Sequence, residues 1–283
     1  MKKIIYCVFF ALTSCTFSTQ KNEINSVLIE ENKDTILIKE SIPSLILIGY
    51  INDIPIFGDA ESNDFYSFDG EFRFYKKGRS GFLPVYCNDS VMIYVSRKND
   101  RILSNEVIIA IGQVEKKILL PSKEVAQLVS NMNGDTLFYT NGDNEVDNIR
   151  IFDAINNKET IGTSVWYEGF WYSKGLFYYY LPNKEDYRSY LYTTSVPPIE
   201  KGTFIANTPV DNMDAISYDG NYLAGDEKFS KKLYCVVNLK TGKFKRKIIK
   251  CDNTIFSFFY KNKAYFYNTS TLKIEDIINL DDI

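Results

Sequence analysis

A composition rich in aromatic residues, turn dipeptides that recur about every forty-three residues, and the near absence of helical periodicity together predict an all-β chain. The period further predicts a six-bladed β-propeller in which an N-terminal strand closes the last blade. The 283 residues include 21 Tyr and 20 Phe against 15 Gly and 8 Pro. Such residues suit pleated, half-buried surfaces. The turn positions Asp53, Asp89, Gly134, Gly175, Gly220 and Lys263 are separated by 36, 45, 41, 45 and 43 residues, the period of a four-stranded propeller blade. A β-sandwich with strands every 8 to 12 residues is the competing architecture.

The clearest copies are Asn133-Gly134-Asp135-Thr136-Leu137-Phe138-Tyr139 leading to Ile149–Asp153, and Asp219-Gly220-Asn221-Tyr222-Leu223-Ala224 leading to Leu233–Asn238. Each joins a hairpin-type turn to a strand, a polar loop and an alternating strand. Further turns fall at Asn52-Asp53, Asn88-Asp89, Lys174-Gly175 and Asn262-Lys263. Innermost strands are expected at Ser44–Ile51, Gly81–Cys87, Val125–Met132, Ser164–Ser173, Asn212–Tyr218 and Thr254–Lys261. Third strands are expected at Phe65–Phe68, Glu106–Ile111, Asn148–Asp153, Ser189–Thr193, Lys232–Asn238 and Thr271–Asp276. Outer strands follow at Glu71–Lys76, Lys116–Leu120, Glu159–Thr163, Gly202–Ala206 and Lys243–Ile249. The sixth blade has no outer strand before Ile283. The alternating segment Thr35–Glu40 is expected to supply it, which pairs the open edges. Pro121–Glu124 is the one place where a short helical turn is considered.

Lys2 and Lys3 precede the apolar run Ile4–Leu12. That run is shorter than the roughly 20 residues a spanning helix needs and fits the apolar region of a signal peptide. Leu12-Thr13-Ser14-Cys15 resembles the bacterial lipoprotein signal, which implies cleavage before Cys15 and acylation of its thiol. The expected organisation is a signal peptide over 1–14, a lipidated tether over 15–34 and the propeller over 35–283. The expected location is a bacterial cell envelope, lipid-anchored, with the outer membrane favoured. Cys87, Cys235 and Cys251 remain in the exported part, so one disulfide at most can form. Cys235 with Cys251 is the candidate pair, and buried free thiols are the alternative.

The stretch Phe65–Gly81 (FYSFDGEFRFYKKGRSG) resembles the six-bladed, TolB-like or NHL-like propeller lipoproteins of the Bacteroidetes, with a D-G-k-f turn, a basic strand and part of a Gly-rich link. The Pro and Glu of that link are missing here. Asp219–Ala224 is similar to the D-G-x-x-l-A turn of TolB-type blades. These motifs are structural turns. The resemblance therefore implies fold and envelope location and names no ligand.

The chain contains no histidine, which excludes Ser-His-Asp and Cys-His nucleophile activation and imidazole metal sites. Lys and Arg total 33 against 36 Asp and Glu, so no positive excess exists to hold nucleic acid. No catalytic, cofactor or metal residues are assigned. Asp143–Asn148 is rich in oxygen ligands but lacks the Gly and Glu of an EF-hand loop. Blade four carries an aromatic surplus, from which Trp166, Trp171, Tyr172 and Tyr179 are the candidate ligand-binding residues, since aromatic faces with polar tips suit sugars and peptides. Filler between twisted sheets is the competing role. The run Lys228–Lys250 is explained either by edge protection or by contact with an acidic glycan or anionic surface. The expected function is a lipid-anchored binding module for a glycan or an envelope protein. A propeller glycosidase or lyase using carboxylate or Tyr chemistry, and an immunity or inhibitor lipoprotein, are the alternatives.

Overall fold

The structure is a computed structural model that describes residues 44–99, 102–141, 146–166, 169–182, 189–195, 202–207, 210, 212–227, 233–249 and 254–283. The described residues form antiparallel meanders, each built from neighbouring strands in chain order. The first holds β1 (Leu45–Ile51), β2 (Ile54–Asp59), β3 (Phe65–Phe68) and β4 (Phe72–Lys76). The second holds β5 (Phe82–Cys87), β6 (Val91–Asn99), β7 (Ile102–Ile111) and β8 (Val114–Leu119). The third holds β9 (Gln127–Ser130), β10 (Thr136–Thr140), β11 (Val146–Asp153) and β12 (Lys158–Trp166). The fourth runs β13 (Phe170–Ser173), β14 (Leu176–Pro182), β15 (Ser189–Thr194) and β16 (Thr203–Asn207). The fifth runs β17 (Asn212–Ile216), β18 (Tyr222–Asp226), β19 (Leu233–Asn238) and β20 (Phe244–Ile248). A three-stranded set, β21 (Ile255–Tyr260), β22 (Lys263–Asn268) and β23 (Ile274–Asn279), ends the chain. A parallel bridge between Gly49 and Cys87 merges the first two meanders into one eight-stranded sheet.

Burial explains the order of strands within a meander. Inner strands β5, β9 and β10 are almost entirely buried, whereas the outer strands β4, β8 and β20 are mostly exposed. A strand packed on both faces can be apolar throughout, while an outer strand keeps water on one side. Turn chemistry sets the hairpins. Asn52 and Asp53 have φ of 50° and 66°, and Lys174 and Gly175 have 45° and 79°. Successive left-handed residues give the two-residue turn whose twist matches its flanking strands.

Polar joints connect each meander to the next. Val125 N donates to Leu103 O between the second and third, at 3.4 Å. Gln127 Nε2 donates to Phe170 O at 2.9 Å, Tyr180 Oη to Val210 O at 2.8 Å, and Ser257 Oγ to Asp214 Oδ2 at 3.0 Å. The last meander then meets the first: Tyr267 Oη donates to Leu45 O at 2.9 Å, and Phe259 N donates to Tyr50 Oη at 3.1 Å. Phe258 packs edge-on against Phe57 and Phe68 at the same seam. Buried side chains thus form a continuous apolar lining between successive meanders, in one cluster from Ile48 to Tyr192 and another from Leu45 to Leu280.

The structure shifts several expected boundaries. Ser164–Ser173 is not one strand: its first residues end β12, and the inner strand begins at Phe170, beyond Gly169. Thr271–Asp276 is displaced to Ile274–Asn279 because Leu272, at φ 55°, sits in a turn whose Ser270 and Leu272 amides donate to Asn268. Pro121–Glu124 forms no helical turn, and the one helical element among the described residues is the 3₁₀ turn Leu280–Asp282. Thr35–Glu40, the leader and Cys15 lie outside the described residues.

Candidate functional site at the turn end of the inner strands

The inner strands β1 and β5 are parallel, and contacts between turns of the second, fourth and fifth meanders put the turns between first and second strands at one end. Four of these turns bring charged and phenolic groups together. Asp89 is the centre of the arrangement: its Oδ1 accepts from Asn52 N at 2.6 Å and its Oδ2 accepts from Tyr218 Oη at 3.1 Å. The second contact joins the second meander to the fifth across 129 residues of sequence. Tyr218 also lies edge-on to Tyr50, with ring centroids 6.3 Å apart, and carries Lys174 Nζ 5.2 Å from its own ring centroid.

Local chemistry fixes each turn. Asn88 Oδ1 accepts from the Ser90 and Val91 amides at 2.8 Å, which folds the turn that presents Asp89. Ser217 Oγ accepts from Asn221 N and Tyr222 N and donates to Asp219 Oδ1 at 2.5 Å, while Gly220 takes φ 74°. Asp53 follows Asn52 in the left-handed turn, half-buried. Burial raises its carboxyl above the usual range, the nearby Asp219 carboxylate adds to the rise, and Lys174 opposes it. Burial likewise pushes the Tyr178 phenol up to about 12, with Asp219 contributing. Burial also raises the Tyr50 phenol, with Asp53 and Asp219 adding to the rise and the Phe259 amide opposing it. Asp53, Asp89, Asp219, Lys174 and Tyr218 therefore lie near one another at this end.

The expected aromatic residues are placed differently. Trp171 and Tyr179 are fully buried. Trp171 packs edge-on to Tyr180, and Tyr179 stacks on Tyr192 while accepting from Gly202 N at 2.5 Å. Both therefore fill the space between sheets. Tyr172 is half-buried, stacked on Phe138 at 5.8 Å. Trp166 ends β12, and its side chain lies outside the described residues. Three residues of the basic stretch of the fifth meander pair with acids, Lys245 with Asp282 at 2.6 Å, Arg246 with Glu227 at 2.9 Å and Lys247 with Asp276 at 3.0 Å, and Lys240 and Lys243 are exposed. Lys228, Lys231, Lys232 and Lys250 lie outside the described residues. In the oxygen-rich loop, Asp147 Oδ2 caps Asn141 N at 2.9 Å, and residues 142–145 lie outside the described residues. Cys87 and Cys235 are buried free thiols, and burial raises both; Cys235 reaches about 12. Cys251 lies outside the described residues.

No family model matches the chain, and no curated protein matches it in sequence. Its fold is similar to that of solved structures. Hydrazine synthase of Kuenenia stuttgartiensis is 11% identical over 88% of this chain and 80% of that one, with a TM-score of 0.51. Hsv2 of Kluyveromyces lactis is 14% identical over 80% and 74%, at 0.49. The Cps50 (Swd1) β-propeller domain of Myceliophteria thermophila is 12% identical over 82% of each chain, at 0.48. The successive meanders and the seam that returns from last to first define the class of fold, a β-propeller.

Asp53, Asp89, Lys174, Tyr218 and Asp219 were not among the expected site residues. Four of them stand in the turns that mark the repeat, and Tyr218 ends an expected inner strand. Equal position within each repeat was the signal that could have gathered them, because equivalent turns share one end of the molecule.

Proposed function

We propose that the protein is a six-bladed propeller of the Bacteroidetes lipoprotein type, lipid-anchored through Cys15 in the cell envelope, whose turn end binds a glycan or an envelope protein. The carrying observation is the convergence of Asp53, Asp89, Lys174, Tyr218 and Asp219 at that end. Charged side chains held by rigid turns offer a prearranged surface, which lowers the ordering cost of recognition. Closure by Thr35–Glu40 is supported by linker length. The linkers from an outer strand to the next inner strand span 77–81, 120–126, 167–169, 208–211 and 249–254, or five, seven, three, four and six residues. Residues 41–44 would make a linker of four, and β23 is an edge of a three-stranded sheet where the other meanders have a fourth strand.

The test is to compare wild-type protein with an Asp53→Asn/Tyr218→Phe variant on a glycan array and in affinity capture from envelope extracts. Binding that is lost in the variant supports the reading. No binding in either assay beside a measurable hydrolytic rate rejects it. The second reading, a carboxylate glycosidase, is favoured by one observation: Asp53 is raised and half-buried while neighbouring Asp89 accepts two hydrogen bonds. Two carboxyls in unequal environments are what general acid and base roles require. A hydrolytic rate abolished by Asp53→Asn would establish it.

A further inference from the structure

We infer that two neighbouring hairpin tips, 111–114 between β7 and β8 and 154–157 between β11 and β12, dock on the surface of a lipid bilayer. This rests on the reading of the chain as lipid-anchored, which puts a bilayer within reach. Val114 and Ile155 are 71% and 72% exposed and Ile111 is 44% exposed, and neither tip holds a charged residue. Pairing of Val91 with Ile111 and of Thr136 with Asp153 puts both tips at the end that carries the turns between first and second strands. They lie side by side, since Lys116 Nζ of one hairpin donates to Ala154 O of the other. Local chemistry holds each tip in shape. Gly112 takes φ 58° and Asn157 φ 54°, and Asp153 Oδ1 accepts from the Ile155 and Asn156 amides at 2.9 Å. The apolar side chains are therefore presented at little ordering cost.

Charge resists insertion into lipid, and the acids nearest the tips are already engaged. Glu115 pairs with Arg79, Asp135 accepts from Thr136 Oγ1, and Asp153 accepts from Asn156 Nδ2. Lys158 follows the second tip and is exposed; its long stem lets the ammonium stay among the headgroups. The equivalent tips of the first and fifth meanders carry Asp69 and Glu71, and Lys240 and Lys243, so they do not share this property. A second copy of the chain fits less well. Three aliphatic side chains present roughly 300 Å² of apolar surface, short of the 800 Å² or so that each partner brings to a stable interface. An anchored domain needs less, because tethering sets an effective concentration of about a millimolar. The chain's path agrees. Closure by Thr35–Glu40, antiparallel to β23, brings residue 35 to the end where β23 stops beside Lys263, so the tether leaves from the end that carries the tips. Contact through two outer hairpins tilts the ring and leaves the inner turns of the fourth and fifth meanders open to a partner.

The intact chain from residue 16, with an N-terminal decahistidine tag in place of the lipid, is held on phosphatidylcholine vesicles that contain nickel-chelating lipid. Amide hydrogen exchange is then compared with that of the same protein in solution. Tethering should slow exchange in 111–114 and 154–157 by about threefold or more, equally at low and high salt, because apolar insertion drives the contact. Val114→Ser/Ile155→Ser should abolish the slowing. Leu119→Ser/Ile248→Ser, which removes comparable exposed surface at the far ends of β8 and β20, should retain it, and circular dichroism melts show that both variants are folded. Unchanged exchange at the tips, the same slowing in Val114→Ser/Ile155→Ser, or slowing that salt removes would overturn the inference. Self-association in sedimentation equilibrium without vesicles, lost in Val114→Ser/Ile155→Ser, would also overturn it and assign the tips to a second copy. Since the tag replaces the lipid, the result is independent of Cys15, whose acylation is read by mass spectrometry of the full-length chain. An acylated Cys15 beside unprotected tips sinks the inference and leaves the anchored reading standing; protected tips beside an unmodified Cys15 do the reverse.

Discussion

Substituting Gly49 by Ala tests the junction between the first two meanders. Gly49 sits at φ 148°, a conformation that side-chain-bearing residues rarely adopt, and pairs with Cys87 where β1 meets β5. A β-carbon there would lie 2.0 Å from the Cys87 carbonyl oxygen and 3.1 Å from its Sγ. The oxygen belongs to the backbone of a buried strand, so relief requires the two meanders to separate. The strained conformation costs about 1–3 kcal/mol, and forcing a methyl into a packed interior costs about 1–3 kcal/mol more. Gly70→Ala is the control, because Gly70 has φ 128° with no heavy atom within 4 Å of its β-carbon position. It carries the conformational cost without the clash. Urea unfolding followed by tryptophan fluorescence should therefore show Gly49→Ala less stable than Gly70→Ala by about 1–3 kcal/mol. Equal losses in the two variants would refute the close approach of β1 to β5.

Other perturbations separate packing from chemistry. Asp214 is fully buried, and burial raises its carboxyl well above the usual range, with Asp226 adding to the rise and Ser257 opposing it. The folded state therefore favours the protonated acid: its contribution is complete below the unfolded value near 3.8 and is lost as pH rises through the folded value. Asp214→Asn, whose amide oxygen still accepts from Ser257, should melt higher than wild type at pH 7, with the advantage vanishing at pH 3 to 4; a constant offset would count against the burial. Trp171→Ala should cost about 3–5 kcal/mol in urea titrations, since Trp171 is fully buried, whereas Lys245→Ala should cost no more than about 1 kcal/mol because its ion pair with Asp282 is exposed. Cys235 should resist maleimide in native protein and react once urea unfolds it, as a buried free thiol requires; an unreactive thiol in both states would argue for a disulfide.

The fold was legible because two signals reinforce each other. Turn residues punctuate the chain at a blade-length period, and the inner strands behind them are apolar on both faces. β1, β5 and β21 accordingly begin and end within a residue of their expected limits. The boundary between β12 and β13 failed because Val165-Trp166 and Phe170–Tyr172 read as one apolar run, although Gly169 lies between them. Aromatic surplus was also a poor guide to function. Trp171 and Tyr179 have the polar tips and broad faces of a ligand surface, yet the same features fill the gap between twisted sheets. The site was hidden for a complementary reason. Asp, Asn and Lys are ordinary turn residues, so Asp53, Asp89 and Lys174 read locally as hairpin chemistry. Tyr218 of the fifth meander meets Asp89 of the second, and that proximity is set by how the successive meanders pack rather than by either turn alone.

The contact between Asp89 and Tyr218 is what ties the turns of the second and fifth meanders together. A double-mutant cycle combining Asp89→Ala with Tyr218→Phe, read by urea unfolding, measures it without reference to any ligand. A hydrogen bond at 3.1 Å between the second and fifth meanders predicts a coupling of about 0.5–1.5 kcal/mol. A coupling of zero within error would contradict the gathering of these turns at one mouth.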